Sequence, residues 1–394
     1  MKWACLVLAC LMVSLMLLVN LQNIQATGAT VENSWETMQS LPYSLSGVAV
    51  PVGDKIYIFS NSQEYITRLF VYDTGSETLN ETASMPTHRM SFGIAVVGQK
   101  IYTIGGQHYY PLPGGAVGGY PTNVTEAYDT QTGTWETKQS AIDCSSQLTA
   151  NTINGKIYGV YFDGTGSTVD VYDPEADTWT RKSAIPSGVE VYEAKSCVIA
   201  DSIYLLQKED GKMFVYDVKS GNWSTAAPLP TVYSSSRMVA TIGEYAPKQI
   251  YVVGGAIVYG LGEFTSVSTV FRYDPASDSW SRATDMPTAR HTAAVAVVDD
   301  KIYAIGGATE QPGPEDPFWE PSQTGAVEVY TPFGYVTEQP SASPSSSPES
   351  PQPALPEATV VIAGAAIAGI AIAATAMLVY RHKHLKTAKQ NKPN

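Results

Sequence analysis

The chain is poor in the side chains that most often do chemistry. Its 394 residues include 4 cysteines and 5 histidines. Cys5, Cys10, His382 and His384 fall in the two terminal segments, leaving Cys144, Cys197, His88, His108 and His291 between them. These lack the ligand spacing of a metal site. There is no nucleophile elbow, paired-histidine helix or dinucleotide fingerprint. The run Gly114-Gly115-Ala116-Val117-Gly118-Gly119 is not GxGxxG and opens no helix, so it cradles no phosphate. No cofactor and no metal are expected, and catalysis finds little support. Basic residues are also scarce, 24 against 37 acidic ones. Setting aside Lys2 and the five basic residues of the C-terminal tail leaves a balance of −19, which argues against a nucleic-acid partner.

Long apolar runs occur only at the ends. Lys2 precedes an apolar stretch from Trp3 to Val19, and Ala26 is a plausible cleavage point, so residues 1–26 read as a signal peptide. An uncleaved anchor is the alternative. A lipoprotein site at Cys10 is rejected because most of the apolar run still follows it. Ala358 to Tyr380 carries no charge over 23 residues, enough for one membrane-spanning helix. Arg381, Lys383, Lys386, Lys389 and Lys392 follow, marking 381–394 as a cytoplasmic tail and the rest as extracellular, in single-pass type I topology. Residues 336–357 hold six prolines among serines and read as an extended stalk.

What the middle does contain is a repeat. Ile56-Tyr57, Ile101-Tyr102, Ile157-Tyr158, Ile203-Tyr204, Ile250-Tyr251 and Ile302-Tyr303 recur at steps of 45, 56, 46, 47 and 52 residues, each in a short apolar run. Repeats of this length, full of β-formers, indicate propeller blades, which cannot bury both faces alone and must stack in a ring. A Tyr-Asp pair follows in five units, at Tyr72, Tyr128, Tyr172, Tyr216 and Tyr273, and Tyr330-Thr331 stands in the sixth. Trp135, Trp179, Trp223 and Trp280 come within seven residues of their Tyr, while the first unit has Leu79 there. The sequence thus predicts four strands per unit, a to d from the inside outward, over residues 27–335. The last unit lacks its Trp and Trp35 precedes any complete unit, so an N-terminal strand is expected to close the ring. In this register Cys144 and Cys197 fall about 20 Å apart along the strand direction, and two buried free thiols are expected instead of a disulfide.

Gly105-Gly106, Gly254-Gly255 and Gly306-Gly307, with Met85-Pro86-Thr87-His88-Arg89 and Met286-Pro287-Thr288-Ala289-Arg290, complete a pattern that resembles the kelch repeat. Three units depart from it, with Ser60-Asn61, Val160-Tyr161 and Gln207-Lys208 in place of Gly-Gly. The resemblance implies an all-β, six-bladed kelch-type propeller. The interval from the Tyr of Ile-Tyr to the Tyr closing strand c is 15, 26, 14, 12, 22 and 27 residues, so the second, fifth and sixth blades carry long b–c loops on one rim. These loops hold His108, Tyr109, Tyr110 and Tyr120, then Tyr259 and Phe264, then Phe318 and Trp319, residues suited to a protein or glycan ligand. Loops that merely cover the rim are the alternative. Arg89, Arg237 and Arg290 lie near the start of strand a, and in kelch domains such arginines can line the central mouth and grip carboxylates. Pairing with blade acids is the competing reading. Asn80, Asn123 and Asn222 head glycosylation sequons, with Asn222, beside Trp223, expected to be the most hindered. The function expected is adhesion or ligand capture at the cell surface. The alternatives are a sugar-acid mutarotase resembling N-acetylneuraminate epimerase and a structural envelope component.

Overall fold

The computed structural model describes residues 31–61, 66–112, 117–143, 148–162, 166–260, 263–310 and 322–337. These lie in one compact unit ending at Pro340. The signal, stalk beyond 337, membrane span and tail all fall outside the described residues, as does Cys144. No helix among the described residues is long and apolar enough to cross a membrane.

The described chain is all-β, with antiparallel sheets that follow one another along the sequence. Six have four strands, ordered a-b-c-d. The first sheet comprises Val48–Val52, Lys55–Asn61, Thr67–Asp73 and Thr78–Thr82. Gly93–Val97, Lys100–Ile104, Thr125–Asp129 and Thr134–Lys138 form the second. In the third they are Leu148–Ile153, Lys156–Phe162, Ser167–Asp173 and Thr178–Ala184. The fourth has Lys195–Ile199, Ser202–Leu206, Met213–Asp217 and Asn222–Ala226. The fifth has Arg237–Ala240, Ile250–Val253, Val270–Asp274 and Ser279–Arg282. In the sixth, Ala294–Val298, Lys301–Ile305 and Val327–Thr331 are joined on the outside by Ser34–Thr37.

Every Ile-Tyr pair lies on strand b, and the reason for the pair is visible in the packing. Successive strand residues face opposite sides, so Ile and Tyr of one pair enter different interfaces. Ile56 packs between the sixth and first sheets, while Tyr57 packs between the first and second. Ile101 shares that second interface and Tyr102 enters the next, with Ile157. The alternation continues through Ile203, Tyr204 and Ile250 to Tyr251, which meets Ile302, and returns at Tyr303 to the core containing Ile56. Six separate apolar cores result, one for each neighbouring pair of sheets. The innermost strands also touch in sequence, first to second and onward, with the sixth against the first.

The N-terminal strand completes the sixth sheet. Trp35 pairs with Tyr330 and Ser34 with Thr331. The indole lies 5.2 Å from the Tyr330 ring and its Nε1 donates to Thr284 O at 2.8 Å, reaching the fifth sheet's exit. Trp135, Trp179 and Trp280 repeat both contacts, stacking 5.1–5.2 Å from their strand-c Tyr and donating to Ala83, Gln139 and Ala227 carbonyls. Trp223 stacks on Tyr216, but its Nε1 meets no acceptor among the described residues. Cys197 is a free, buried thiol whose pKa burial pushes up.

The Gly-Gly pairs turn the chain at the end of strand b. Gly306 and Gly307 have φ of 61° and 103°. A Cβ at Gly306 would stand 2.1 Å from Leu45 O, and one at Gly307 2.8 Å from His291 O, so only glycine fits. The three sheets with Gly-Gly are those whose b–c connections form further strands.

Removing residues 31–38 should uncover the outer edge of the sixth sheet and loosen its contact with the fifth. Trp35→Ala alone should cost about 2–3 kcal/mol, below the range of a fully buried Trp because the ring is half-exposed. Chemical denaturation followed by tryptophan fluorescence reads both. An unchanged midpoint for the truncation would contradict closure by this strand.

Candidate functional site

The three extra hairpins stand on one end of the sheets. In the second sheet Gln107–Pro111 pairs with Val117–Pro121, and Arg89–Met90 adds a third strand. Ala256–Gly260 pairs with Glu263–Ser266 in the fifth, and Ala308–Glu310 with Ser322–Gln323 in the sixth. Bridges Ser234–Ala256 and His291–Ala308 anchor the last two to the segment leading into strand a, just as Arg89 pairs with His108. The d–a and b–c connections therefore share a face.

The long-loop residues are only partly gathered. His108, Tyr110 and Tyr120 form one cluster on the second sheet's hairpin, with His108–Tyr120 and Tyr110–Tyr120 ring distances of 5.1 and 6.0 Å. Tyr110 and Tyr120 are exposed; Tyr109 is half-buried. His108 Nδ1 lies 2.7 Å from His88 O, which fixes the ring. Burial, followed by the neighbouring His108, lowers the His88 pKa. Tyr259 is 66% exposed on the fifth sheet's hairpin. Phe264 meets the His291 ring edge-on at 4.7 Å, and Ser266 Oγ lies 2.9 Å from His291 Nδ1. A cleft of about 550 Å³ opens between the fifth and sixth hairpins, lined by Phe264, Thr265, Ser266, Pro287, Thr288, Ala289 and Thr309. Phe318 and Trp319 fall outside the described residues. The first sheet stands between the sixth and second, and among the described residues no further hairpin extends it.

The arginines require a correction. Arg89 and Arg290 are fully buried and do not line a mouth. Arg89 Nη1 donates to Glu126 Oε2 at 3.0 Å and Nη2 to Thr103 Oγ1 at 2.8 Å, while Thr87 Oγ1 holds the other carboxylate oxygen at 2.7 Å. The sixth sheet repeats this: Arg290 Nη2 to Glu328 Oε2 at 2.8 Å and Thr288 Oγ1 to Glu328 Oε1 at 2.6 Å. Burial lowers both guanidinium pKa values, and the adjacent carboxylates oppose it. The Met-Pro-Thr-x-Arg motif is thus a clamp, with Thr and Arg closing on one acid. Glu126 and Glu328 each stand two residues before the Tyr that closes strand c, a signal present in the sequence. In the third sheet that position is Asp170, fully buried and bound by Tyr161 and Arg181. In the fifth it is Phe271, on which Tyr233 stacks at 6.4 Å.

Arg237 is a different case. It is the first residue of its strand a, opposite Val253, the position held by Gly93 and Ala294 in the second and sixth sheets. Arg237 stands 13 residues before Ile250, close to the 12 that separate Arg89 and Arg290 from Ile101 and Ile302, because the fifth sheet's a–b connection is long. That connection wraps Asp300, whose carboxylate accepts from the backbone N–H groups of residues 242–246 at 2.5–3.3 Å. Arg237 is half-buried and donates to Ala293 O at 3.0 Å and Gly47 O at 2.9 Å, crossing from the fifth sheet to the sixth and first. Burial pushes its pKa down to about 10.

Among the sequons, Asn80 and Asn222 are exposed. Asn123 is half-buried and its side-chain amide donates to Ala141 O at 2.9 Å. The hindered asparagine is therefore Asn123 and not Asn222, because Trp223 turns to the opposite side of its strand.

Ringed sheets with loops gathered on one face define a β-propeller repeat protein. A solved structure, "Structure of YjhT", matches with a TM-score of 0.57 at 13% identity, covering 74% of this chain and 96% of its own, a likeness of fold. The FKB95 kelch-repeats domain model matches residues 26–246 and the Kelch motif matches residues 247–287, so the chain belongs to the kelch-repeat family. Kelch-like protein terF of Aspergillus terreus is 29% identical over 59% of this chain and 52% of its own length. Mouse Kelch-like protein 35 is 29% identical over 48% of this chain and 30% of its own. The chain thus spans about half the length of the first relative and less than a third of the second.

Arg290→Met should leave Glu328 buried without a cation and cost about 3–5 kcal/mol, whereas Arg290→Met with Glu328→Met should recover most of it. Urea denaturation of both variants checks this. Equal losses would mean that the pair is not a closed clamp.

Proposed function

We propose that this chain is a six-bladed kelch propeller that captures a protein partner on its hairpin-bearing face. The observation that carries the reading is where apolar surface is left uncovered. Among the described residues every exposed large hydrophobic except Val31, Ile242 and Val336 lies on a d–a or b–c connection or its hairpin or, for Phe162, at the end of strand b that leads into one. Tyr43, Ile142, Phe162 and Tyr192 extend the patch around the first, third and fourth sheets, beyond Tyr120 and Tyr259. Concentrated apolar and aromatic exposure with one orientation suits a protein interface.

The chain leaves from the opposite end. Thr331 ends strand c beside Ser34, and Tyr335 then stacks on Tyr245 of the fifth sheet's a–b connection at 5.9 Å. In our reading the stalk of 336–357 and the helix of 358–380 anchor the propeller outside a cell. A glycan partner would use the same aromatic residues. The mutarotase reading loses its two motif arginines to buried ion pairs.

Cells displaying the full chain can be screened against secreted and surface proteins. Tyr120→Ala and Tyr259→Ala should each weaken the captured partner about tenfold without shifting the melting temperature. Equal capture by both variants would remove this face from consideration. Glycosidase treatment of the exported chain should show sugar at Asn80 and Asn222 and none at Asn123, and a fully occupied Asn123 would contradict the geometry.

A further inference from the structure

Neighbouring sheets are tied to each other by a recurring pair of polar contacts, centred on the residue that leaves strand d. Gln139, Ala227 and Thr284 hold this place after the second, fourth and fifth sheets. Each donates its backbone N–H to a side chain of the next sheet: Gln139 to Asp177 at 2.8 Å, Ala227 to Asp278 at 2.7 Å and Thr284 to Asn33 at 3.0 Å. Each also accepts at its carbonyl from the Trp two residues beyond that side chain, Trp179, Trp280 or Trp35. The first–second seam keeps the Trp135 half, with Gly133 in place of the acid. The sixth–first seam keeps the other half, Gln39 N–H to Glu77 at 3.1 Å, with Leu79 in place of Trp.

The third–fourth seam has neither half among the described residues. Ser183 holds the exit position there, two residues before Ile185, as Gln139 precedes Ala141 and Ala227 precedes Leu229; these three N–H groups make the same bond to the segment entering strand c. A β-bulge makes Lys182 an extra residue between Arg181, opposite Asp170, and Ser183, opposite Val169. Ser183 O accepts from Thr168 Oγ1 of its own sheet at 3.3 Å, and Trp223 Nε1 is left without an acceptor. Gly221 stands where Asp177 and Asp278 stand in their sheets. Thr149 and Asn151 lie on the face of strand a that sends Ile153 into this seam. With Gln207 Oε1, beneath the connection from the third sheet, Thr149 Oγ1, Asn151 Nδ2, Ser183 Oγ and Trp223 Nε1 make up five of the ten buried side-chain polar atoms that lack a partner among the described residues. A side-chain bond that does cross the seam, Asn154 Nδ2 to Asp201 Oδ1 at 3.1 Å, is exposed.

We infer that the ring opens locally at the seam between the third and fourth sheets, ahead of the other seams and without release of the N-terminal strand. The apolar core of Val160, Val169, Ile203 and Leu205 holds this seam together. Parting a tied seam breaks two hydrogen bonds. Parting this one breaks neither and returns five stranded polar atoms to water. The opening has a consequence on the hairpin face. Phe162 ends strand b of the third sheet, whereas Lys208 of the fourth holds Tyr192 through a cation–π contact at 5.7 Å. Both aromatic residues are exposed, so their spacing changes as the seam parts. The inference concerns the free chain and does not depend on capture of a partner.

Thiol labelling of the folded full chain, resolved by residue with mass spectrometry, reads the opening. Val169→Cys and Val270→Cys are matched probes: both valines are fully buried on strand c, the first in this seam and the second in the fifth–sixth seam. Without denaturant the thiol at position 169 should be labelled about tenfold or more faster than the one at 270. Asn154→Asp sets a second carboxylate beside Asp201 and should speed labelling at 169 by a further twofold or so, with labelling at 270 unchanged. Trp179→Phe and Trp280→Phe should each lower the melting temperature by about 2 °C more than Trp223→Phe does, because only they lose a hydrogen bond. The Trp variants carry no new thiol, so this comparison stands even where a cysteine variant fails to fold. Labelling at 169 no faster than at 270, an Asn154→Asp effect shared by both probes, or equal losses for the three Trp variants would each overturn the inference.

Discussion

Each sheet of this protein is apolar on both faces, and that constraint governs the rest. A strand that reads Ile-Tyr sends one large side chain each way, and burying either is worth about 1.5–3 kcal/mol. A sheet with only one neighbour would expose half of that surface. Stacking in a line leaves two such faces at its ends, whereas stacking in a circle leaves none. The core between Ile56 and Ala296 is where the circle meets itself. The N-terminal strand fastens the same region through backbone hydrogen bonds, because Ser34–Thr37, which leads into the first sheet, pairs with Val327–Thr331 of the sixth.

The ring in turn fixes what can vary. Positions that face a neighbouring sheet accept only partners of matching chemistry, and one position shows the available solutions. Two residues before the closing Tyr, the chain has Phe70, Glu126, Asp170, Phe214, Phe271 and Glu328. Where the residue is Glu, an Arg and a Thr from the incoming segment clamp it. Where it is Phe271, the incoming segment supplies Tyr233 and a stack. Acid with base, or ring with ring, satisfies the same space; a mixture would leave a buried charge unpaired. The hairpins rising above these positions are freed from packing duty, and the exposed aromatic residues concentrate there.

Much of this was legible in the sequence because it repeats. The Ile-Tyr, Tyr-Asp and Trp positions all fall on strands b, c and d, and Trp35 meets Tyr330 as the missing Trp of the last unit required. The unequal b–c intervals correctly marked the three sheets that carry hairpins. Burial was harder to read. Arg89 and Arg290 look like surface cations in a list of residues, and only the pairing across strands brings Glu126 and Glu328 beneath them. Arg237 does stand at the start of its strand a, but the long turn around Asp300 hides that it sits further along the chain's path than Arg89 and Arg290, which precede their strands.

Hydrogen exchange of the backbone amides measures the closed ring most directly. Amides bonded between Ser34–Thr37 and Val327–Thr331 should exchange as slowly as those of the neighbouring Lys301–Ile305 strand, all through one common opening of the whole ring. Exchange of the N-terminal strand at the rate of the exposed turns, with Lys301–Ile305 still protected, would show that the circle is not held where the two ends of the chain meet.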